Sequence, residues 1–194
     1  MKKFRRPGPG LVWHLRNRLR PSYWLGWLFT HMARLFSYVT GIVTITTELR
    51  LLQQLGDGTI IDYGTVGYRK VTDAGADYMA GDFNTGANDI SLFNFHGVGT
   101  GSNAENTTDV ALQANVTPGG QYIAGTKSAP GSKQYLTSAS VTFAAAGNIQ
   151  EHGLFSQANP SGAVLWDRTV FSPIGVSPQD AITFQYTLTI NSGG

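Results

Sequence analysis

The sequence predicts a mainly β protein, an antiparallel β-sandwich of jelly-roll-like type with a helical, basic N-terminal arm. Glycine supplies 24 of the 194 residues, and Thr, Ser and Asn are abundant, as in short strands joined by turns. After residue 41 several segments alternate apolar and polar residues with a period of two, which is typical of half-buried strands. Residues 1–40 hold eight Lys or Arg and no acidic residue, whereas residues 41–194 hold six basic and twelve acidic residues. We therefore expect residues 1–40 to form an anchoring arm and residues 41–194 to form the sandwich body.

The arm contains two helical patterns separated by Pro21. Leucine recurs every four residues over 11–19 and predicts a first helix. Ser22 is a candidate cap for a second helix over 23–39, which is apolar around most of its circumference. No uncharged apolar run reaches ~18 residues and no small-residue cleavage site follows one, so we expect neither a spanning helix nor a cleaved signal peptide. The apolar second helix over 23–39 must be covered by the body, by another protein or by a lipid surface.

The body opens with an alternating segment over 43–51, which predicts a strand. The sequence Gly-Asp-Gly at 56–58 predicts a hairpin turn into a return strand over 59–71. The apolar parity of that strand changes at Gly64, where we expect a β-bulge.

A short helix over 72–83, capped by Thr72, follows the hairpin. Residues 107–113 predict a further helical turn. The remaining strands are expected at 121–127, 134–144, 148–156, 163–171 and 180–190. Seven or eight strands separated by Gly, Pro and Asn turns favour an antiparallel sandwich or barrel.

The glycine-rich segment GVGTGS (97–102) raises the question of phosphate binding. A P-loop needs Gly-Lys-Ser/Thr at the start of a helix, and the next lysine along the chain is Lys127. A dinucleotide-binding loop needs a parallel βαβ unit, which the alternating pattern does not indicate. We therefore interpret these glycines as residues that let a strand turn sharply.

The sequence gives no pattern of catalytic or metal-binding residues, and we expect no enzyme, no cofactor and no small-molecule substrate. Cysteine is absent, which excludes disulfides and thiolate metal sites. Glu151 and His152 are adjacent, so their side chains point to opposite faces of a strand. Asp167 and Arg168 are interpreted as a charge pair with neighbouring strands. None of the four histidines has a second ligand at metal spacing, and we expect structural roles for them: His14, His31, His96 and His152.

Four segments in order, DYGTVGYRKVTDAGADYM, FNFHGVGTGSNAENTTDVAL, EHGLFSQ and LWDRTVFSPIGVSPQDAITFQYTLTI, resemble a group of small β-rich virion proteins of tailed bacteriophages. The resemblance covers most of residues 60–190 and includes the basic, Trp-rich character of the arm. It implies a virion structural protein, assembled in the host cytoplasm, and brings no catalytic residues with it. The position in the virion stays open, because such proteins serve as capsid decoration, head fibres, neck adaptors and tail components.

Within that group we expect a capsid cement or decoration protein that is homo-oligomeric and contacts the major capsid protein or other virion subunits. Large aromatic side chains and arginines dominate the energetics of interfaces. The residues expected to bind the partner are Trp13, Arg16, Arg18, Arg20, Trp24, Trp27, Phe29, Arg34 and Phe36. A neck or tail component, a membrane-associated β protein and a carbohydrate-binding domain are the alternatives. Nucleic acid contact by the arm has only a weak signal, the four cations Lys2, Lys3, Arg5 and Arg6.

Overall fold

The computed structural model describes residues 10–68, 70–86 and 89–192. Within these ranges the protein is mainly β. Its helices are α1 (Leu11–Arg18), α2 (Pro21–Thr40) and α3 (Asp73–Thr85). Its strands are β1 (Thr44–Gln54), β2 (Ile60–Tyr68), β3 (Lys70–Val71), β4 (Phe95–Gly99), β5 (Ile123–Ala124), β6 (Thr126–Ser128), β7 (Gln134–Thr142), β8 (Gly147–Phe155), β9 (Leu165–Val176) and β10 (Ala181–Asn191).

The strands form two antiparallel five-stranded sheets. One has the order β2-β1-β10-β7-β6 and the other β3-β9-β8-β4-β5. Both sheets contribute to one apolar core, in which Leu51 and Phe184 of the first sheet share a cluster with Phe171 and Ile174 of the second. The predicted mainly β fold with antiparallel sheets is confirmed, and the arrangement is sandwich-like.

The first hairpin agrees with the sequence in its turn and in its bulge. The turn at residues 56–58 joins β1 to β2, and the amide of Thr59 donates to the Asp57 carboxylate over 2.8 Å. The pairing of β1 with β2 shifts register on either side of Gly64, whose φ is +64°. A positive φ at this position favours glycine, so the predicted bulge is confirmed.

Helix α3 is present and is capped as predicted. The Thr72 hydroxyl accepts a hydrogen bond from the amide of Gly75 and itself donates to the carbonyl of Leu165 in β9. The cap therefore fixes α3 onto the second sheet as well as starting the helix. The helix continues to Thr85, two residues beyond the expected end.

Two local predictions are wrong. Residues 107–113 form no helix; the Asp109 carboxylate accepts from the Asn106 amide, which closes a turn, and the chain then runs on as a loop. The expected strand over 121–127 is divided at Gly125 into β5 and β6, which lie in different sheets. Gly125 donates to the carbonyl of Asn94, and this contact marks the point where the chain crosses between the sheets.

Helices α1 and α2 occur where the two helical patterns predict helices, with one difference at their junction. The cap of α2 is Arg20 and not Ser22, because Pro21 itself occupies the first turn, where its missing N–H costs nothing. The helix ends at Gly41 in the left-handed conformation, with φ of +74°. The boundary expected near residue 41 lies between the end of α2 and the start of β1 at Thr44.

Candidate functional site: the outer face of the N-terminal helices

Helix α1 is held on the body by two side chains. The indole nitrogen of Trp13 donates to the carbonyl of Pro173 over 3.1 Å, and its ring packs edge-on against Tyr63 with centroids 4.7 Å apart. Asn17 is 2% exposed; its amide donates to the carbonyl of Val66 and its oxygen accepts from the amide of Ser172. Because Val66 and Ser172 belong to different sheets, Asn17 ties the helix to both.

Helix α2 faces the body with a stripe of small residues. Gly26, Thr30, Ala33 and Ser37 lie on one side, and Thr30 and Ser37 are buried. A Cβ at Gly26 would lie 2.8 Å from the carbonyl oxygen of Tyr68, closer than real Cβ contacts, so only glycine permits this approach. The Ser37 hydroxyl lies 2.7 Å from that of Thr44, which joins the end of α2 to the first strand.

The opposite side of α2 presents large apolar side chains to solvent. Nine of them are between 40 and 73% exposed: Trp24, Leu25, Trp27, Phe29, Met32, Leu35, Phe36, Tyr38 and Val39. Helix α1 adds exposed apolar side chains at Leu11, Val12, Leu15 and Leu19. We call these exposed side chains the outer face. An amphipathic helix on a globular protein normally packs its apolar stripe inward, and α2 does the reverse.

The residues expected to bind a partner divide into three groups. Exposed positions on the two helices hold seven of them: Arg16, Arg18, Trp24, Trp27, Phe29, Arg34 and Phe36. Arg20 is half-buried, and burial lowers the pKa of its guanidinium while the charge of Glu105 opposes that shift. Trp13 is half-buried against its own chain, as described above. The cluster of Lys2, Lys3, Arg5 and Arg6 lies outside the described residues.

The glycine-rich segment surrounds an anion that the chain itself supplies. The Glu151 carboxylate, fully buried on β8, accepts hydrogen bonds from the amides of Gly101, Gln113 and Ala114 at 3.1, 2.7 and 3.3 Å. A Cβ at Gly99 would lie 2.3 Å from the same carboxylate. The interpretation as a sharp turn is therefore wrong for Gly97 and Gly99, which lie within β4 and allow neighbouring groups to approach closely.

Arg168 neutralises this buried carboxylate. Its Nε lies 2.5 Å from Glu151, and its Nη1 lies 3.0 Å from Asp109 in the loop. The interpretation of Arg168 as a charge partner of the neighbouring strand is confirmed. The loop over 100–115 is thus closed over the second sheet by two carboxylates and one guanidinium, an arrangement in which each charge has an opposite partner.

His152 projects from the other face of β8 into the core, as the adjacency with Glu151 predicts. It stacks on Phe184 with centroids 4.7 Å apart, and its Nε2 lies 2.9 Å from Nδ1 of His96. His96 Nε2 is in turn 3.1 Å from the Thr137 hydroxyl. Both rings are 0% exposed, so the chain of contacts joins the two sheets through the core. Among the described residues no three His, Asp or Glu side chains come together as a metal site.

An apolar groove of about 520 Å³ opens between the sheets near β6. Trp166 and Tyr186 lie in its wall and are joined by a hydrogen bond of 2.7 Å from the indole nitrogen to the phenol oxygen. Lys127 lies at the groove and donates to the carbonyl of Ser91. Sequence reasoning did not indicate this groove because its residues come from well-separated segments that only the sheet pairing brings together.

Comparison of the chain with protein-family models, with curated proteins and with solved structures finds no match. No helix among the described residues is long and apolar enough to cross a membrane.

From the sequence, partner binding is assigned to aromatic and cationic residues of α2 and not to its aliphatic ones. Leucine, methionine and valine at 25, 32, 35 and 39 are as exposed as the aromatic residues. The signal that could have found them is the complementary stripe. Small residues at 26, 30, 33 and 37 follow helical spacing and mark the side that approaches a neighbouring backbone.

Proposed function

We propose that the protein is a structural component of a bacteriophage virion, a capsid cement or decoration protein that binds the outer shell through its basic N-terminal arm. The observation that carries the proposal is the orientation of α2, whose small residues meet the body and whose aromatic and aliphatic residues meet solvent. An exposed apolar surface of this extent is typical of a protein that functions in a complex. The sequence resemblance to phage virion proteins supports the class of partner.

The composition of the outer face is that of an interface centre. Trp24, Trp27, Phe29 and Phe36 supply large side chains that lose little entropy on binding, and Trp, Tyr and Arg are enriched where interfaces gain most of their energy. Arg16, Arg18 and Arg34 lie on the same two helices, which hold no acidic residue, and Arg34 lies near Glu48 of β1. These cations favour an acidic surface on the partner.

A decoration protein of this kind stabilises a shell by linkage. If it binds the assembled shell and not the free subunits, each bound copy shifts the equilibrium toward the intact shell by its binding free energy. The body is suited to such a role because the Glu151–Arg168 ion pair is formed inside it and its core spans both sheets.

We also propose that the sandwich is jelly-roll-like. Along the described strands the chain passes from one sheet to the other four times: between β2 and β3, between β5 and β6, between β7 and β8, and between β9 and β10. Successive strands therefore wrap around the common core, which supports a rolled description of the two sheets.

The first experiment counts copies of the chain in purified particles by quantitative mass spectrometry. A copy number comparable to that of the major shell protein supports decoration. A copy number that corresponds to a single ring of subunits favours a position in the neck or tail, where the outer face would pack between neighbouring subunits. Absence from the particles overturns the virion proposal.

The second experiment tests the surface itself by co-sedimentation with undecorated shells. We expect the triple variant Trp24→Ser, Phe29→Ser, Phe36→Ser to bind at least about tenfold more weakly, since an interface aromatic contributes on the order of 2 kcal/mol. The matched control is Phe83→Ser, an 82% exposed aromatic on α3. Equal binding by the triple variant and the control would reject the outer face as the anchor.

A membrane-associated role is the second candidate, because an apolar helix with Trp residues and nearby Arg also suits a lipid interface. Flotation of the full chain with anionic vesicles at low salt tests it. Binding that the triple variant loses would favour lipid over a protein shell.

A further inference from the structure

We infer that α2 packs against α2 of further copies of the same chain, so that the outer face contains a self-association seam. This inference rests on the proposed function, since it assigns part of the same surface to a defined partner. The seam consists of five apolar residues of α2: Leu25, Leu28, Met32, Leu35 and Val39. Four of them are 44 to 72% exposed, and Leu28 is half-buried.

The spacing of these residues is that of a coiled coil. They follow one another at alternating steps of three and four residues, which is the a and d pattern of two consecutive heptads. On a straight helix such a stripe occupies one side, and here it is centred opposite the stripe of small residues. A helix that packs only on the sandwich needs one contact stripe, and the small residues already provide it, so the second apolar stripe indicates another contact.

The attachment of α2 to the body leaves this seam free for other copies. In the same heptad register, Gly26 and Ala33 take position b of two consecutive heptads, and Thr30 and Ser37 take position f. These are the positions that face away from the partner in a coiled coil, and in this protein they contact the sandwich. The body therefore lies on the back of the helix, outside any bundle that the seam forms.

The charge distribution is compatible with identical helices meeting. Arg34 is the one Lys or Arg in α2, the helix has no Asp or Glu, and position c keeps Arg34 off the seam. The positions e and g that border the seam carry Trp24, Phe29, His31, Phe36 and Tyr38. Copies can thus approach without bringing like charges together, and apolar flanking positions widen the contact beyond a narrow two-helix seam.

The exposed area is sufficient for a stable contact. Nine apolar residues of α2 are 40 to 73% exposed. With about 150–250 Å² for each large aromatic side chain, the helix presents on the order of 1,000 Å² of apolar surface. A standard interface buries about 800 Å² per partner, so the helix alone meets this requirement.

A second copy fits better than a lipid surface. An interfacial helix keeps a strongly charged face toward water and headgroups, whereas the back of α2 is uncharged and covered by the sandwich. Arg16 and Arg18 lie on α1, outside the seam, and remain available for the shell. In the oligomer the a and d side chains of α2 face other copies, and the surface of α1 together with the outer edges of the flanking aromatic side chains faces the shell.

Sedimentation velocity of the full chain in detergent-free buffer tests the inference. We expect the wild type to sediment as an oligomer and the double variant Met32→Glu, Leu35→Glu to sediment as one chain of 20.9 kDa. Both residues are more than half exposed, so the variant retains its core, and near-ultraviolet circular dichroism checks that it is folded. The matched control Phe83→Glu on α3 is expected to remain oligomeric.

Three outcomes overturn the inference: a monomeric wild type, an oligomer that the seam variant leaves intact, or dissociation by Phe83→Glu as well. A monomeric wild type that floats with anionic vesicles would replace the second copy by lipid as the occupant. The proposed function fails separately, through absence of the chain from purified particles. A monomer that nevertheless binds shells would reject the seam and leave the virion role standing.

Discussion

Two regions of this protein reverse the usual distribution of polar and apolar groups, and they do so with different results. Around Glu151, charged groups are buried inside the fold. On α2, large apolar groups are exposed outside it. Both arrangements are costly when left alone, because a buried charge loses its hydration and an exposed apolar surface orders water.

The chain itself completes the first region and leaves the second open. Glu151 receives three backbone amides and the Arg168 guanidinium, so its charge is fully compensated within one molecule. The outer face of α2 has no equivalent cover among the described residues, although the back of the same helix is fitted closely to Tyr68. The difference separates a buried region that serves stability from a surface for which we propose a role in association.

The largest effect is expected from Glu151→Ala. The substitution removes the acceptor for three amides and leaves Arg168 buried with Asp109 as its remaining charged partner among the described residues. We expect the free energy of unfolding to fall by about 3–5 kcal/mol, as for other buried pairs that lose one member. Urea denaturation followed by tryptophan fluorescence measures it.

Glu151→Gln is the matched control, because it keeps the shape and one of the two acceptor oxygens while removing the charge. A smaller loss than for Ala is expected. If both variants unfold at the wild-type urea concentration, the loop over 100–115 does not depend on the internal anion, and the contrast between the two regions disappears.

A smaller effect is expected from Gly26→Val on the back of α2. The added side chain meets the Tyr68 carbonyl, which is backbone and cannot rotate away. Overpacking of this kind costs about 1–3 kcal/mol, and we expect α2 to lift from the sandwich. Faster amide hydrogen exchange within residues 21–40 reports the displacement. Wild-type exchange in the variant would show that α2 is not held by this contact.

Asn17→Ala tests the attachment of α1. It removes the hydrogen bond to Val66 and leaves the buried amide of Ser172 without its acceptor. An unsatisfied buried group costs about 1–3 kcal/mol. Asn17→Asp keeps the acceptor for Ser172, but it loses the donor and buries an unpaired carboxylate beside the Val66 carbonyl, which costs more than the lost hydrogen bond. Thermal melts of the three proteins should rank wild type above Ala and Ala above Asp.

Most of the sheet architecture could be predicted from the sequence, because alternation over ten residues specifies both a strand and its buried face. The strand β10 and the Gly64 bulge were found in this way. Short strands were not: β5 and β6 have two and three residues, and their assignment to different sheets depends on partners far along the chain. Local pattern carries no information on such pairing.

The candidate site was predicted in part. Composition identified a basic, aromatic N-terminal segment, but it could not tell which side of α2 meets the body. The sequence suggested a helix apolar nearly all round, and the structure shows a stripe of small residues that decides the orientation. The role of Glu151 also escaped sequence reasoning, since its three amide partners lie 37 to 50 residues away.

A pH effect is expected at the contact between α1 and the body. Burial, with a further contribution from the charge of Asp180, raises the pKa of the Tyr63 phenol to about 12 from its usual 10.0. Between about pH 10 and pH 12 the folded chain therefore holds a proton that the unfolded chain has lost. The stability contributed below pH 10 is lost as the pH rises toward 12.

Tyr63→Phe removes this titrating group, and we expect a shallower fall in the free energy of unfolding over the same range. Burial likewise raises the pKa of Tyr68 to about 12, so some of the fall remains in the variant. Urea denaturation at several alkaline pH values measures the slope. An unchanged slope would mean that Tyr63 is equally accessible to hydroxide in both states.

The smallest effect on the single chain is expected from Leu35→Ser on the seam of α2. Leu35 is 58% exposed, and substitutions at such surface positions usually change stability by less than about 0.5 kcal/mol. At high concentration self-association enlarges the difference in stability between wild type and variant, because copies that bind only the folded state raise the melting temperature of the protein by mass action. We therefore expect the melting temperature of the wild type to rise with protein concentration and that of Leu35→Ser to stay constant. Differential scanning calorimetry over a hundredfold range of protein concentration separates the two proteins. Over that range, one binding event changes the free energy of unfolding by about 3 kcal/mol. If the melting temperatures of both proteins depend on concentration in the same way, Leu35 behaves as an ordinary exposed leucine. If only that of the wild type rises, other copies cover the outer face of α2, whereas the charge of Glu151 is compensated within a single chain.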